Sequence, residues 1–151
     1  PTFPNERYVY AQAEEDFYAT PAAASRRMIF DDSVQPLIEA GLVQRMGDRG
    51  GEIEAGFRFH PTPGHSVGHM SIGLTSGGAS ALFGGDVMHH PLQLHHPHWN
   101  SVFCADGEQA RQSRAWALDA IRDGSLYFSS HFPGTAVVRA DAHVEGGWAF
   151  V

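Results

Sequence analysis

The chain has 151 residues, enough for one domain with a core of its own, since chains of this size bury roughly two thirds of their unfolded surface. With 17 acidic residues against 10 Lys and Arg, its formal charge is −7 with His neutral, so a nucleic-acid backbone or an anionic membrane is repelled on average and neither is expected as a partner. A single cysteine excludes an internal disulfide, and no apolar run approaches the roughly 18 residues of a membrane span. With no charged-then-apolar leader at its start, the expectation is a soluble, cytoplasmic protein. The chain opens at Pro1 rather than at a Met, and is expected to be a piece of something longer.

In chain order, the aromatic and β-branched run from Arg7 to Ala13 predicts a strand, and "EEDFYAT" after it a short helix or turn. Asp31, Asp32 or Ser33 can cap a helix running to Ala40, with Pro36 confined to its first turn and Gly41 as the stop. "LVQRM", "EIEA" and "FRFHP" predict short strands, followed by the loop "TPGHSVGH" and a hairpin of "MSIGLTS" with "SALFGGDV". "HHPLQLHHPHW" is too rich in Pro and His for regular structure and predicts a long loop. From Asp106, with Gln109 at capping-box spacing, Ala110, Ala117, Ala120 and Ile121 recur at helical intervals, and Trp116 extends that face. "SLYFSS" and "AVVRADAHVEGGWAFV" then predict a strand and two more around a turn at Gly146 and Gly147. The order implies a layered α/β or α+β domain over residues 1–151.

Ten histidines are many for this length, and six fall between His65 and His96. Three polar residues share one context: His65 after "TPG", Asp86 after "FGG" and His131 after "YFSS". Each lies just past an apolar, strand-like run, where a layered fold presents loops at one edge and rigid strands can aim side chains at a common point. Imidazole nitrogen and carboxylate oxygen suit zinc, iron, nickel or manganese, and a carboxylate can bridge two ions. Taken singly, His65 is equally a surface histidine and "GGD" equally a turn. His89 and His90 follow Asp86 closely, and one of them can contact substrate or transfer protons; a solvated loop is the other reading. Trp99 and Phe103, with His95, His96 and His98, can wall a substrate pocket or can simply be core. Cys104, with no cationic neighbour in sequence, reads as a small buried hydrophobe. Gly64, Gly84 and Gly85 let the backbone turn tightly beside the candidate ligands.

Through "TPGHSVGH" at Thr62 to His69, "LFGGDV" at Leu82 to Val87 and "SSHFPG" at Ser129 to Gly134, the sequence resembles the metallo-β-lactamase-fold hydrolase superfamily. "GDVMHHPLQ", "FCAD" and "HFPG" are most similar to the group of methyl parathion hydrolase and the quorum-quenching lactonases. The resemblance implies an α/β layered chain forming the C-terminal part of an αββα sandwich. It implies one or two zinc ions, with iron, manganese or nickel as other occupants. His65 would be a ligand of the first metal, Asp86 the bridging carboxylate and catalytic centre, and His131 a ligand of the second; His69 would support the loop rather than ligate. The HxHxDH motif of the superfamily, which precedes a region like "PTFPNERYVY", does not occur in this sequence. The implied function is hydrolysis of a small ester, lactone or phosphotriester by metal-activated water, with this chain as one portion of the enzyme. A missing N-terminal half or a homodimer would complete the site and cover the sheet face that a lone half-sandwich exposes. The alternatives are a non-catalytic, metal-binding remnant of the fold and a thioester hydrolase of the glyoxalase II kind.

Overall fold

The computed structural model describes residues 2–151, which divide into two compact units meeting in sequence at Arg49 and Gly50. In the first unit, β1 (Tyr8–Ala11) and β2 (Val43–Met46) pair in parallel, and the chain between them is helical. It forms α1 (Gln12–Tyr18), a 3-10 turn at Pro21–Arg26, α2 (Arg27–Ser33) and α3 (Gln35–Glu39). The helix expected to start at Asp31–Ser33 is corrected here. Those residues end α2, and α3 begins beyond Val34 with Pro36 in its first turn, where a missing N–H costs nothing. Phe30 is buried and stacks on Tyr18 at 5.1 Å, while Glu15 receives both Nε and Nη2 of Arg45 at 2.6 and 2.9 Å.

The second unit is built on one seven-stranded sheet whose spatial order follows the chain. Its strands are β3 (Gly51–Glu54), β4 (Phe57–Pro61), β5 (Met70–Ser76), β6 (Ala79–Gly85), β7 (Leu126–Ser129), β8 (Val137–Ala140) and β9 (Trp148–Phe150). All neighbours are antiparallel except β6 and β7, which run parallel because the connection between them carries a helix back across the sheet. That helix is α5 (Gly107–Ala120); Asp106 caps it, accepting from the N–H groups of Glu108 and Gln109 at 2.9 and 3.0 Å. Ala117, Leu118 and Ile121, from α5 and its C-terminal end, pack with Leu82, Tyr127 and Val138 of the sheet and with Val87, Met88, Leu94 and Phe132 beyond its strands. By the two-residue alternation of strands, Phe83 and Phe128 point to the opposite face, where their rings stack at 4.8 Å.

Three local readings change. The "HHPLQLHHPHW" segment contains one turn of helix, α4 (Leu92–His95), because Gln93 and Leu94 are buried and organise it. Trp116 does not extend the buried face of α5; it is partly exposed and lies against the His60 ring at 5.0 Å. Ala120 is exposed as well, and the buried stripe runs instead through Ala110, Arg114, Ala117 and Ile121. Among the described residues no helix is long and apolar enough to cross a membrane.

Candidate metal centre

The sheet topology brings the candidate residues together. Residues 62–69 join the end of β4 to the start of the antiparallel β5, and Asp86 follows β6 at that same edge. Because β7 is parallel to β6, with Gly85 opposite Ser129, the chain leaving β7 towards His131 emerges there too.

Each loop is fixed by its own hydrogen bonds. Thr62 N–H donates to His69 O at 2.9 Å and closes the first loop at its base. From outside, Ala105 and Asp106 donate to the carbonyls of His65 and Gly64 at 3.1 and 2.9 Å, and Ser113 Oγ donates to Pro63 O at 2.6 Å. This approach needs Gly64: its φ is +128°, and a Cβ there would lie 2.1 Å from Ala110 N, backbone that cannot give way. Gly84 meets a side chain instead, since its Cβ would fall 2.1–2.3 Å from the phenol of the fully buried Tyr127.

Asp86 is the centre of the set. Its Oδ2 lies 3.2 Å from His65 Nε2 and its Oδ1 lies 2.6 Å from His131 Nε2, so each carboxylate oxygen faces a different imidazole. The Asp86 N–H donates to His69 Nε2 at 3.0 Å, which requires that nitrogen to be unprotonated. The His69 proton is therefore on Nδ1, within 2.9 Å of Thr62 Oγ1 and 3.1 Å of Thr62 O. With both nitrogens engaged, His69 holds the backbone at Asp86 and has no nitrogen to offer an ion.

His89 joins this set and His90 does not. His89 Nε2 lies 3.1 Å from His65 Nδ1, and its ring stacks on His131 at 4.9 Å. Burial first, then the neighbouring His65 and His131, push the His89 pKa down to about 4, so it is a neutral imidazole near neutral pH. His90 is exposed, and its Nδ1 accepts from Leu92 N–H at 3.1 Å, serving the turn into α4. Phe103, 67% exposed, borders His89 at 6.3 Å between centroids; Trp99, 48% exposed, stacks on His96 at 4.3 Å. Neither is core. Cys104 is only half-buried, and one donor atom each from His65, His89 and Cys104 lie within 4.8 Å of one another. The reading of Cys104 as a plain buried hydrophobe is thereby corrected: the Ala105 hydrogen bond to His65 O carries its neighbour Cys104 to the histidines.

Two buried polar residues organise the connecting loop without having been singled out from sequence. Gln93 Oε1 accepts the His89 and His90 N–H groups at 2.6 and 3.3 Å, while its Nε2 donates to Trp99 O at 2.8 Å. Arg114, fully buried, donates to the carbonyls of Val87, Pro97 and Trp99. Its signal was present in the sequence as an Arg in register with Ala110, Ala117 and Ile121 on one helix face.

The mixed seven-stranded sheet with its helix across one face is a mixed α/β fold of the metallo-β-lactamase type, shared with solved hydrolase structures. Solved structures sharing this fold include a hydrolase named AbOPH in the beta lactamase superfamily, with a TM-score of 0.80 and 20% identity over 99% of this chain and 56% of that one. AidC, a dizinc quorum-quenching lactonase in complex with a product, matches with a TM-score of 0.72 and 21% identity over 99% of this chain and 55% of AidC. A probable metal-dependent hydrolase from Staphylococcus aureus matches with a TM-score of 0.78 and 20% identity over 91% and 48%. The chain spans about half the length of these structures. No family model and no curated protein sequence matches it.

Proposed function

We propose that this chain carries part of the centre of a metal-dependent hydrolase acting on a small ester, lactone or phosphotriester. The observation that carries the reading is the Asp86 carboxylate lying between two imidazoles, one on each oxygen. The donor set fits a divalent ion: two histidines and a carboxylate are ligands of hydrolytic zinc sites, and a carboxylate with both oxygens engaged can serve two ions. His65 and His131 would hold the metal with Asp86. His69 fixes the Asp86 backbone, and the half-exposed His131 side chain leaves the set open to solvent and to substrate. When bound, zinc, iron, manganese or nickel lowers the pKa of coordinated water towards neutrality and polarises the oxygen of the scissile group. Three ligands leave coordination to be completed by water, by a further N-terminal segment or by a second copy of the chain. The fold shared with proteins described as a dizinc lactonase and a probable metal-dependent hydrolase supports the reading.

The test is metal content per chain by elemental mass spectrometry together with hydrolysis of an aryl ester, an acyl homoserine lactone and an aryl phosphotriester. Wild type is expected to hold one or two divalent ions per chain and to turn over one of these classes. Asp86→Ala is expected to lose both while keeping its far-ultraviolet circular dichroism. Undiminished metal and turnover in Asp86→Ala would sink the assignment.

A further inference from the structure

His65 presents its two nitrogens to two different sets of groups. Nε2 faces Asp86 Oδ2 at 3.2 Å, while Nδ1 faces His89 Nε2 at 3.1 Å, and the Cys104 thiol lies within 4.8 Å of a nitrogen of each of these two histidines. We propose that His65, His89 and Cys104 form a second metal site, a two-imidazole, one-thiolate set for a borderline-soft divalent ion such as zinc or cobalt; it shares His65 with the site centred on the Asp86 carboxylate through the opposite ring nitrogen, so a neutral His65 serves one of the two at a time.

Four features of the structure support it. The spacing is close to that of a coordination sphere: tetrahedral zinc, with bonds of about 2.0–2.3 Å, sets neighbouring ligand atoms about 3.3–3.6 Å apart. His65 Nδ1 and His89 Nε2 are 3.1 Å apart, and one donor atom from each of the three residues lies within 4.8 Å of the others. The remaining closure falls to Cys104, a half-buried side chain on the segment before α5. Proton placement is also consistent. With Nδ1 of His65 taken by an ion, its proton sits on Nε2 and is donated to Asp86, the carboxylate–histidine–metal arrangement that orients ligating imidazoles in many sites. His89 turns Nε2 to His65, while its Nδ1 is buried on the other side of the ring. Finally, thiolate is what separates the two sets chemically: sulfur selects softer ions, while the carboxylate-centred set also accommodates manganese or iron.

The test uses Co2+ as the probe with the 151-residue chain, because thiolate coordination to cobalt gives a near-ultraviolet charge-transfer band that oxygen and nitrogen ligands do not. Wild type is expected to develop this band to saturation at one ion per chain. The near-isosteric Cys104→Ser should abolish it without shifting the metal-free melting temperature, and His89→Gln should weaken the band's binding isotherm at least tenfold. Asp86→Asn should keep the band, even though the carboxylate-centred site is lost, so the two assignments fail separately. Absence of the band in saturated wild type, its undiminished persistence in His89→Gln, or its loss in Asp86→Asn would each overturn the proposal.

Discussion

Replacing Arg114 by Met removes the fork that ties the loop after Asp86 to helix α5 while keeping a side chain of similar length. Arg114 Nε donates to Val87 O at 3.1 Å, and Nη1 donates to Pro97 O at 2.6 Å and Trp99 O at 2.9 Å. A hydrogen bond from a charged donor contributes about 1.5–3 kcal/mol net, so three of them set an upper limit near 9 kcal/mol. Burying a cation costs several kcal/mol, which the substitution relieves, and the freed carbonyls can reach water as the loop opens. A net loss of about 2–4 kcal/mol follows, roughly 4–16 °C in Tm for a chain of this size. Urea unfolding read by tryptophan fluorescence suits the question, because Trp99, Trp116 and Trp148 all lie in the unit beginning at Gly50. Arg114→Lys, which keeps the charge but not the fork, is expected to fall between wild type and Met. Should Arg114→Met retain stability within about 0.5 kcal/mol, the carbonyl clamp would be refuted as the anchor of this loop.

Gly84→Ala forces a methyl group into the buried Tyr127 ring and is expected to cost about 1–3 kcal/mol by the same unfolding assay. A wild-type midpoint would mean that the ring has room to move. His69→Phe removes the acceptor of the Asp86 N–H and is expected to weaken zinc affinity about 10–100-fold in a chelator competition, as loss of supporting hydrogen bonds does elsewhere. Unchanged affinity would separate His69 from the centre. Burial, and then Arg58, hold the His60 pKa below its ordinary 6.5. A histidine depressed in the folded state contributes stability that is complete above the unfolded pKa and is lost as pH falls through the folded one. Wild type should therefore lose stability on acidification below about pH 6.5 more steeply than His60→Phe, which keeps the ring against Trp116. Parallel pH profiles of Tm would contradict this.

Most of the strands were legible because alternating or β-branched runs bounded by Gly and Pro admit few other conformations, as "MSIGLTS" and "SALFGGDV" show in β5 and β6. The layered α/β fold class followed from their order and from the resemblance, and the structure and its solved neighbours bear it out. Boundaries within the helical stretch of the first unit were not legible. Asp31–Ser33 are cap-type residues, but residues preferred at a helix start can also end one when the preceding turn packs, as buried Phe30 does.

The residue types able to carry chemistry, and the place of His65, Asp86 and His131 just past a strand, were readable from local pattern. Local pattern suffices for this, since strand ends are set by turn chemistry within a few residues. Which nitrogen of each imidazole faces which oxygen, and that His89 and Cys104 join His65 while His90 turns away, are set by long-range packing. These depend on the parallel register of β6 with β7 and on the hydrogen bonds from Ala105 and Asp106 back to the His65 loop. Such pairings join residues tens of positions apart, and their geometry exists only once the sheet has formed.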